Sequence, residues 1–539
     1  MKKSLITILI LVLIVICSLS VQIRAQRGIE VSDITINSHG RVLAGLFAVP
    51  AGDYGPHSLP GIAVFHGFTA SKEMMRPFIE GLARVGFAVV AVDQQGHGLS
   101  TGNLGEDGNN SLRNDGVTVI QYLRGLDVVN PDNIGILGHS MGAGTAIATS
   151  MFLGNLKATI LLGNSLSGQN YAFNSSRPSN ILFGLGRYDE LFSLDDALQS
   201  FSGLIDQPAT INTLYGDFSR GTARELLVVP TDHVLEVLNP TLVETSIEWM
   251  YRSMIDSTAH LGDSALQSVN GWGFVLDQFL SYIAGLLLIG LIPLIFVYLP
   301  QNNREDKFPI QWIPQGSIAF LTFMVAIPTI VLPFGSVPLF MTWYILGFLL
   351  YSLLTSHRSS SGLADHIKSI FTPKEDSVLA IVIFFIFMGI IQLLLLTIHW
   401  DFRYVLPLLG ALDLRRVGMF FMIFVPGIMY FTAEIDAMQG HLSFSAVQLG
   451  KEIFARLWVF LILLIIYYVP IIFFHTSILP PIIGFLVFFI VGLVPVMIII
   501  SVISAIGRSQ HWSVLSLGII CSGLIAWILA STLSFGSFR

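Results

Sequence analysis

Two kinds of hydrophobic pattern divide the chain. From residue 29 to about 255, apolar residues come in runs of about four to eight, separated by turn formers and by stretches with helical spacing. From residue 274 onward they come in runs of about twenty, broken by short polar loops. The first region opens with two alternating segments, 29–36 and 42–49, joined by Asn37-Ser38-His39-Gly40, which predicts a hairpin. Apolar strands at 61–65, 87–92, 134–137 and 158–162 then alternate with helices near 72–85, 110–126 and 141–151. Further strands at 181–186 and 225–229 precede a helix opened by Asn239-Pro240 and running to about 254. Continuous apolar strands alternating with helices predict an α/β fold with a doubly wound, mostly parallel sheet.

The long runs lie near 274–299, 316–334, 337–355, 377–398, 415–432, 456–475, 480–506 and 513–534. Each approaches the ~20 residues that span a bilayer, so 274–539 is expected to be an all-α polytopic membrane bundle of about eight helices. Met1-Lys2-Lys3 precedes a further apolar run, 5–21, whose exit, Gln22-Ile23-Arg24, is a poor cleavage site; 1–24 is read as an uncleaved membrane anchor rather than a removed signal segment. The α/β domain is then 25–256, and the Ser, Gly, Asn and Asp of 257–273 read as a linker. With Lys2 and Lys3 inside, Arg304, Lys307, Arg358, Lys368, Lys374, Lys451 and Arg508 fall on the cytoplasmic side. The α/β domain is thereby expected outside the cytoplasm of a multi-pass plasma-membrane protein. The loop 399–416, with Arg403, Arg415 and Arg416, breaks that pattern.

Composition agrees with this division. The 539 residues are 53% hydrophobic and only 12% charged, about half the charge content usual in soluble domains. The net charge of −7 has no basic stripe, which argues against a nucleic-acid partner. Cys17 and Cys521 both sit in apolar runs, so neither a disulfide framework nor a thiolate metal site is expected.

Candidate chemistry begins at Gly138-His139-Ser140-Met141-Gly142, a G-x-S-x-G pattern with an apolar strand before it and a small-residue helix after it. The tight turn excludes side chains two positions either side of the serine, and it presents Ser140 Oγ at a helix N-terminus. His66, Asp93, Ser140 and Asp189 all follow predicted strands, where reactive groups gather in such sheets.

His66-Gly67-Phe68, Asp93-x-x-Gly96-His97-Gly98-x-Ser100 and the serine motif occur in the order and at the intervals of the α/β-hydrolase superfamily. The sequence from 29 to 255 resembles its monoglyceride-lipase, serine-aminopeptidase and dienelactone-hydrolase-like branches. A serine hydroxyl needs a base, and the base an orienting acid. Chain order in this fold is Ser, acid, His. The resemblance puts the acid at the close of Gly186-Arg187-Tyr188-Asp189, with Glu190 and Asp195 as alternatives. His233, in the exit loop of the strand at 225–229, is the histidine found between His139 and His260 and is the expected base. The resemblance implies an oxyanion hole from the main-chain N–H groups of Phe68 and Met141, and turn roles for His97 and His139. Because those donors are main chain, Phe68→Ala would leave them in place. The stretch 206–222, rich in glycine and aromatics, is a candidate flap over the site.

In the membrane half, Asp277, His399, Asp401, Glu434, Asp436, His441 and His475 are ionisable residues near membrane depth. Interfacial solvation accounts for most of them, and no ligand spacing supports a metal site. The expected function is a membrane-anchored serine hydrolase cleaving a carboxylic ester, such as a lipid or acylated amphiphile, through an acyl-enzyme on Ser140, without a cofactor. Its expected partners are that substrate and membrane lipids. An acyltransferase on the same nucleophile is one alternative. A transport or scaffold bundle with a non-catalytic hydrolase-like binding domain is the other.

Overall fold

The computed structural model describes residues 27–166 except 107, then 173–174, 176–296, 312–326, 337–359, 362–397, 409–438, 446–474 and 481–533. Of the expected anchor it describes only positions 9, 12, 13, 16, 17 and 20, so that expectation lies outside the described residues. Strands β1 (Ile29–Ser38) and β2 (Arg41–Pro50) form the hairpin. Its two loop residues, His39 and Gly40, both have positive φ, the backbone whose twist matches a two-residue hairpin. There follow β3 (Leu59–Phe65), α1 (Arg76–Arg84), β4 (Ala88–Val92), α2 (Ser111–Arg124), β5 (Val129–His139) and α3 (Met141–Leu153). Then come β6 (Ala158–Leu162), β7 (Ile181–Gly186), α4 (Leu194–Ile205), β8 (Arg224–Val229) and α5 (Pro240–Met254).

The eight strands make one sheet in the order β1-β2-β4-β3-β5-β6-β7-β8. Pairing is antiparallel at β1/β2 and β2/β4 and parallel from β4 onward. Helices cover both faces, so β3, β4, β6 and β7 bury every residue and carry no alternation. Phe78, Leu82, Val243 and Ile247 of α1 and α5 pack on one face, and Ile120, Ile147 and Phe201 of α2, α3 and α4 on the other.

The stretch 206–222 does not cover the carboxyl edge of the sheet. It runs along β8, where Asn212 N–H donates to Leu226 O at 2.7 Å and Tyr215 pairs with Arg224. An outermost strand needs such partners for its free N–H and C=O groups, and this one takes them from the supposed flap. The segment 257–273 is packed as well: Ala259 and Leu266 are buried in the core beneath α1 and α5.

The second region comprises α6 (Gly271–Phe296), α7 (Trp312–Ala326), α8 (Val337–Ser359), the short α9 (Leu363–Ile370), α10 (Glu375–Thr397), α11 (Leu414–Ala437), α12 (Ala446–Phe474), α13 (Pro481–Ser509) and α14 (Val514–Thr532). Among the described residues, six helices are long and apolar enough to cross a membrane, which is compatible with a multi-pass protein. The apolar window of α14 is wholly buried, whereas those of α10 and α12 are 28% buried and turn Ile390, Leu393 and Ile465 outward. An apolar helix buried on all sides is the centre of a bundle, and outward aliphatic faces suit hydrocarbon rather than water. Helices α11 and α14 approach closely where Gly427 meets Ser522 and Gly518 meets Thr432. Glu434 accepts two hydrogen bonds from Arg456, at 2.8 and 3.0 Å, and Asp436 lies 3.0 Å from His366. His399, Asp401, His441, His475, Arg304, Lys307 and Arg403 lie outside the described residues.

The two regions meet along the carboxyl edge of the sheet. In the segment after β3, Arg76 Nη1 donates to Ser281 Oγ of α6 at 2.9 Å. In the loop after β4, the carbonyls of Ser100 and Gly102 each accept from Arg415 of α11 at 2.6 Å, and that of Gly98 accepts from Arg416. In the loop after β7, Glu190 O accepts from Tyr467 of α12 at 3.1 Å. The arginine pair that broke the charge pattern is thus one of the fastenings between the halves.

Candidate active site

Ser140 ends β5 and starts α3 with φ 55° and ψ −116°, a conformation that costs a non-glycine residue about 1–3 kcal/mol. Its neighbours explain why the motif needs glycine. A Cβ on Gly138 would lie 2.7 Å from Ala143 N, and one on Gly142 2.7 Å from His66 O. The turn is held by Ser140 N–H donating to Leu162 O at 2.8 Å and by Gly144 N–H donating to Ser140 O at 3.1 Å.

His233 reaches the serine from the loop after β8. Its Nε2 is 2.9 Å from Ser140 Oγ and its Nδ1 is 2.7 Å from Asp189 Oδ2. A carboxylate only accepts, so Nδ1 carries the proton and Nε2 is left to accept from the serine hydroxyl. Asp189 is oriented by main chain: its Oδ1 accepts from Leu191 N–H at 2.7 Å and Phe192 N–H at 2.8 Å. Its side chain is fully buried and that of His233 nearly so. The structure therefore brings Ser140, His233 and Asp189 together.

Of the alternatives for the acid, Glu190 does not face the imidazole. Its Oε2 accepts from the main-chain N–H of His233 at 3.0 Å. Asp195 lies in the first turn of α4. For the oxyanion donors, Met141 is the first residue of α3, where helix geometry leaves an N–H without an intrahelical acceptor. Gly67, directly before Phe68, packs on the elbow so closely that a Cβ there would lie 3.3 Å from Ser140 Cβ.

The other strand-end groups are architectural. His66 Nδ1 donates to Gly67 O at 2.7 Å and Nε2 accepts from Gln94 N–H at 2.9 Å, fixing a neutral ring. Burial holds its pKa below the ordinary value. Asp93 binds Lys72 Nζ at 3.0 Å and the N–H groups of Lys72 and Leu99 at 2.8 and 2.9 Å. Burial and then His66 lower His97 to about 3, and its Nδ1 donates to Gln95 O at 3.0 Å.

Sequence reasoning missed Glu236. This wholly buried carboxyl accepts from Gly186 N–H at 2.5 Å and from His139 Nε2 at 3.1 Å, and lies 3.9 Å from His233 Nδ1. The signal was Glu three positions after His233, in a short 3₁₀ turn. Burial and then Asp189 hold the Glu236 carboxyl well above its ordinary range. Burial alone would lower His233, but Asp189, and after it Glu190 and Asp232, leave it above 6.5. Glu190 is raised to about 7 by burial and then by Asp232. Burial, then the neighbouring His233, lowers His139.

Among the described residues, one trio, His139, His233 and Glu236, has possible metal-ligand atoms within 4.8 Å of one another. Those atoms are already committed to hydrogen bonds with the protein, including His139 Nε2 to His233 O at 3.1 Å. The trio therefore reads as support beneath the base.

Residues 58–183 match the family described as serine aminopeptidase, S33, and this segment is of serine-hydrolase type. The match contains Phe68, Ser140 and Met141; Asp189 and His233 lie beyond it. Comparison with curated proteins gives no match. Among solved structures, the chain is similar to a cold-adapted esterase from an Arctic intertidal metagenomic library, at 19% identity and TM-score 0.33, over 42% of this chain and 95% of that one. It is also similar to an esterase of Pyrococcus furiosus, at 20% identity and TM-score 0.33, over 42% and 93%. An acetyl xylan esterase from Paenibacillus sp. R4 is similar at 14% identity and TM-score 0.31, over 42% and 85%.

Proposed function

We propose that this chain is a membrane-embedded serine hydrolase that cleaves a carboxylic ester through an acyl-enzyme on Ser140. The observation that carries the reading is the relay from Asp189 Oδ2 to His233 Nδ1 and from Nε2 to Ser140 Oγ, at 2.7 and 2.9 Å. His233 Nε2 takes the hydroxyl proton as Oγ attacks the ester carbonyl carbon. The N–H groups of Phe68 and Met141 stabilise the oxyanion, each by about 3–4 kcal/mol. Collapse breaks the carbon–alkoxy bond, and the alcohol leaves with the proton from Nε2. Water then repeats the sequence on the acyl-enzyme and releases the acid.

The substrate in this reading is a lipid or another acylated amphiphile. Ser140 lies at the edge of the sheet that is fastened to α6, α11 and α12, so the reacting hydroxyl is on the side of its domain that meets the apolar helices. The division into a hydrolase domain over 25–256 and a membrane domain over 274–539 is part of the proposal. So is an extracytoplasmic hydrolase domain. Lys374 sits with Ser377 beside the start of α14, and Arg508 reaches Met438 O after α11. These ends are opposite those that Arg415 and Arg416 join to the domain, as a positive cytoplasmic face requires.

The test is fluorophosphonate labelling of the purified full chain in detergent. Wild type is expected to label and Ser140→Ala to remain unlabelled. Equal labelling of Ser140→Ala refutes the reading.

A further inference from the structure

Tyr467 and Tyr468 interrupt an otherwise aliphatic stretch of α12, and the hydrolase mechanism has no use for them. Tyr467 is fully buried, and a phenol hydroxyl buried without a partner is costly. Both hydroxyls point at one residue of the α/β domain. Tyr467 donates to Glu190 O at 3.1 Å, and Tyr468 makes a long contact of 3.4 Å to Glu190 Oε1. Tyr188, two residues earlier, packs against the same patch of α12, with Ile471 and Leu463.

Glu190 is the neighbour of the acid and the partner of the base. Its other carboxyl oxygen accepts from His233 N–H at 3.0 Å. On its sheet side the loop is tied by Arg187 N–H to Val229 O at 2.7 Å and by Tyr188 N–H to Thr231 O at 3.0 Å. Toward the bundle, the two tyrosines of α12 tie this loop.

We infer that Tyr467 and Tyr468 are positioning residues for hydrolysis: through Glu190 they set the loop of Asp189 against the backbone of His233, so full turnover requires α12 to be seated on the hydrolase domain. The inference rests on the Ser140–His233–Asp189 reading above. It makes α12 a regulatory element of that site, able to transmit a change in helix packing to the base. The acidic surroundings explain why the link is polar. The groups facing Glu190 are Asp189, Asp232 and His233 from its own domain and the two phenols from α12. Burial beside Asp232 and Asp189 destabilises the ionised form of Glu190, and His233 offsets this through its charge and its main-chain N–H. The Tyr468 hydroxyl is the helix donor that reaches the carboxyl.

The experiment compares the full chain in lipid nanodiscs as wild type, Tyr467→Phe/Tyr468→Phe, Glu190→Gln and Ser140→Ala. Turnover of a short, water-soluble p-nitrophenyl ester is followed against pH, and thermal unfolding is recorded for each variant. The double phenylalanine variant should lose about tenfold in kcat, with KM within about twofold, because a misplaced base lowers turnover rather than binding. Glu190→Gln removes a negative charge that raises His233, so the acidic limb of kcat/KM should move to lower pH. The tyrosine variant should move it in the same direction by less, through weaker ionisation of Glu190. If kcat and the acidic limb of the double variant both match wild type while Ser140→Ala is inactive, the inference is overturned. A fall in kcat with an unmoved limb in both variants assigns the tyrosines to packing alone and overturns it too. Full activity in Ser140→Ala overturns the underlying mechanism instead.

Discussion

Asp189→Asn changes one atom of the proposed relay and leaves the shape of the site intact. In the native site Oδ1 accepts two main-chain N–H groups, from Leu191 and Phe192, and Oδ2 accepts the imidazole N–H. In the variant the amide oxygen must stay on those two donors, so its NH2 group faces His233 Nδ1. The ring then accepts at Nδ1 and carries its proton on Nε2, directed at Ser140 Oγ, where it is unable to take the hydroxyl proton. Restoring the active tautomer requires flipping the amide, which turns an NH2 onto two N–H donors. Leaving those two N–H donors unsatisfied costs about 1–3 kcal/mol each, some 2–6 kcal/mol in all. The imidazolium that forms in the transition state also loses its counter-charge. Together these predict a fall in kcat of about 10³–10⁴. Folding stability should fall by no more than about 1–2 kcal/mol, since the oxygen on the main-chain donors is retained. The assay is kcat on a soluble ester with thermal unfolding in parallel. Turnover within tenfold of wild type would refute the role of Asp189.

Two further expectations concern the base. Gly163 has φ +58°, and a Cβ there would lie 2.8 Å from His233 Cε1 and 3.0 Å from His139 Nε2. Gly163→Ala is expected to displace the imidazole and lower kcat about 10²-fold with KM little changed; wild-type turnover would show that the ring tolerates the shift. Activity should rise with pH through a midpoint above 6.5, because His233 must be neutral to accept the proton and its pKa is raised. The same shift gives stability of the opposite trend: the His233–Asp189 contribution is complete below 6.5 and is lost as pH rises through the folded value. A kcat/KM profile with its acidic midpoint below 6.5 contradicts this.

Local signals in the chain were enough for the architecture. The turn formers Asn37-Ser38-His39-Gly40 mark the hairpin, wholly apolar strands mark a sheet covered on both faces, and long apolar runs mark the helices after 271. A motif singles out Ser140, and strand-end position with chain order singles out Asp189 and His233, the three side chains that the structure brings together. Glu190 looked like a substitute acid because strand-end position does not reveal which atom a carboxylate faces. Glu236 was invisible because its partners are Gly186 and His139, fifty and ninety-seven positions away. Arg415 and Arg416 read as an irregularity of membrane topology, since their acceptors are carbonyls more than three hundred residues upstream. A turn-rich stretch at 206–222 resembles a flap by composition, but the unpaired side of β8 claims it.

Arg416 has one further implication. Its fully buried guanidinium donates to Gly98 O of the hydrolase domain and also to Ala530 O and Leu533 O, at 2.6 and 3.0 Å, at the C-terminal end of α14. One cation therefore closes off an apolar helix and a loop of the α/β domain together. Grafting a hydrolase whose loop lacks a carbonyl here would cost that guanidinium one charge-assisted hydrogen bond, about 1.5–3 kcal/mol. The seam therefore depends on backbone shape as much as on the arginine, because a loop that does not bring a carbonyl to this point leaves part of the guanidinium without an acceptor.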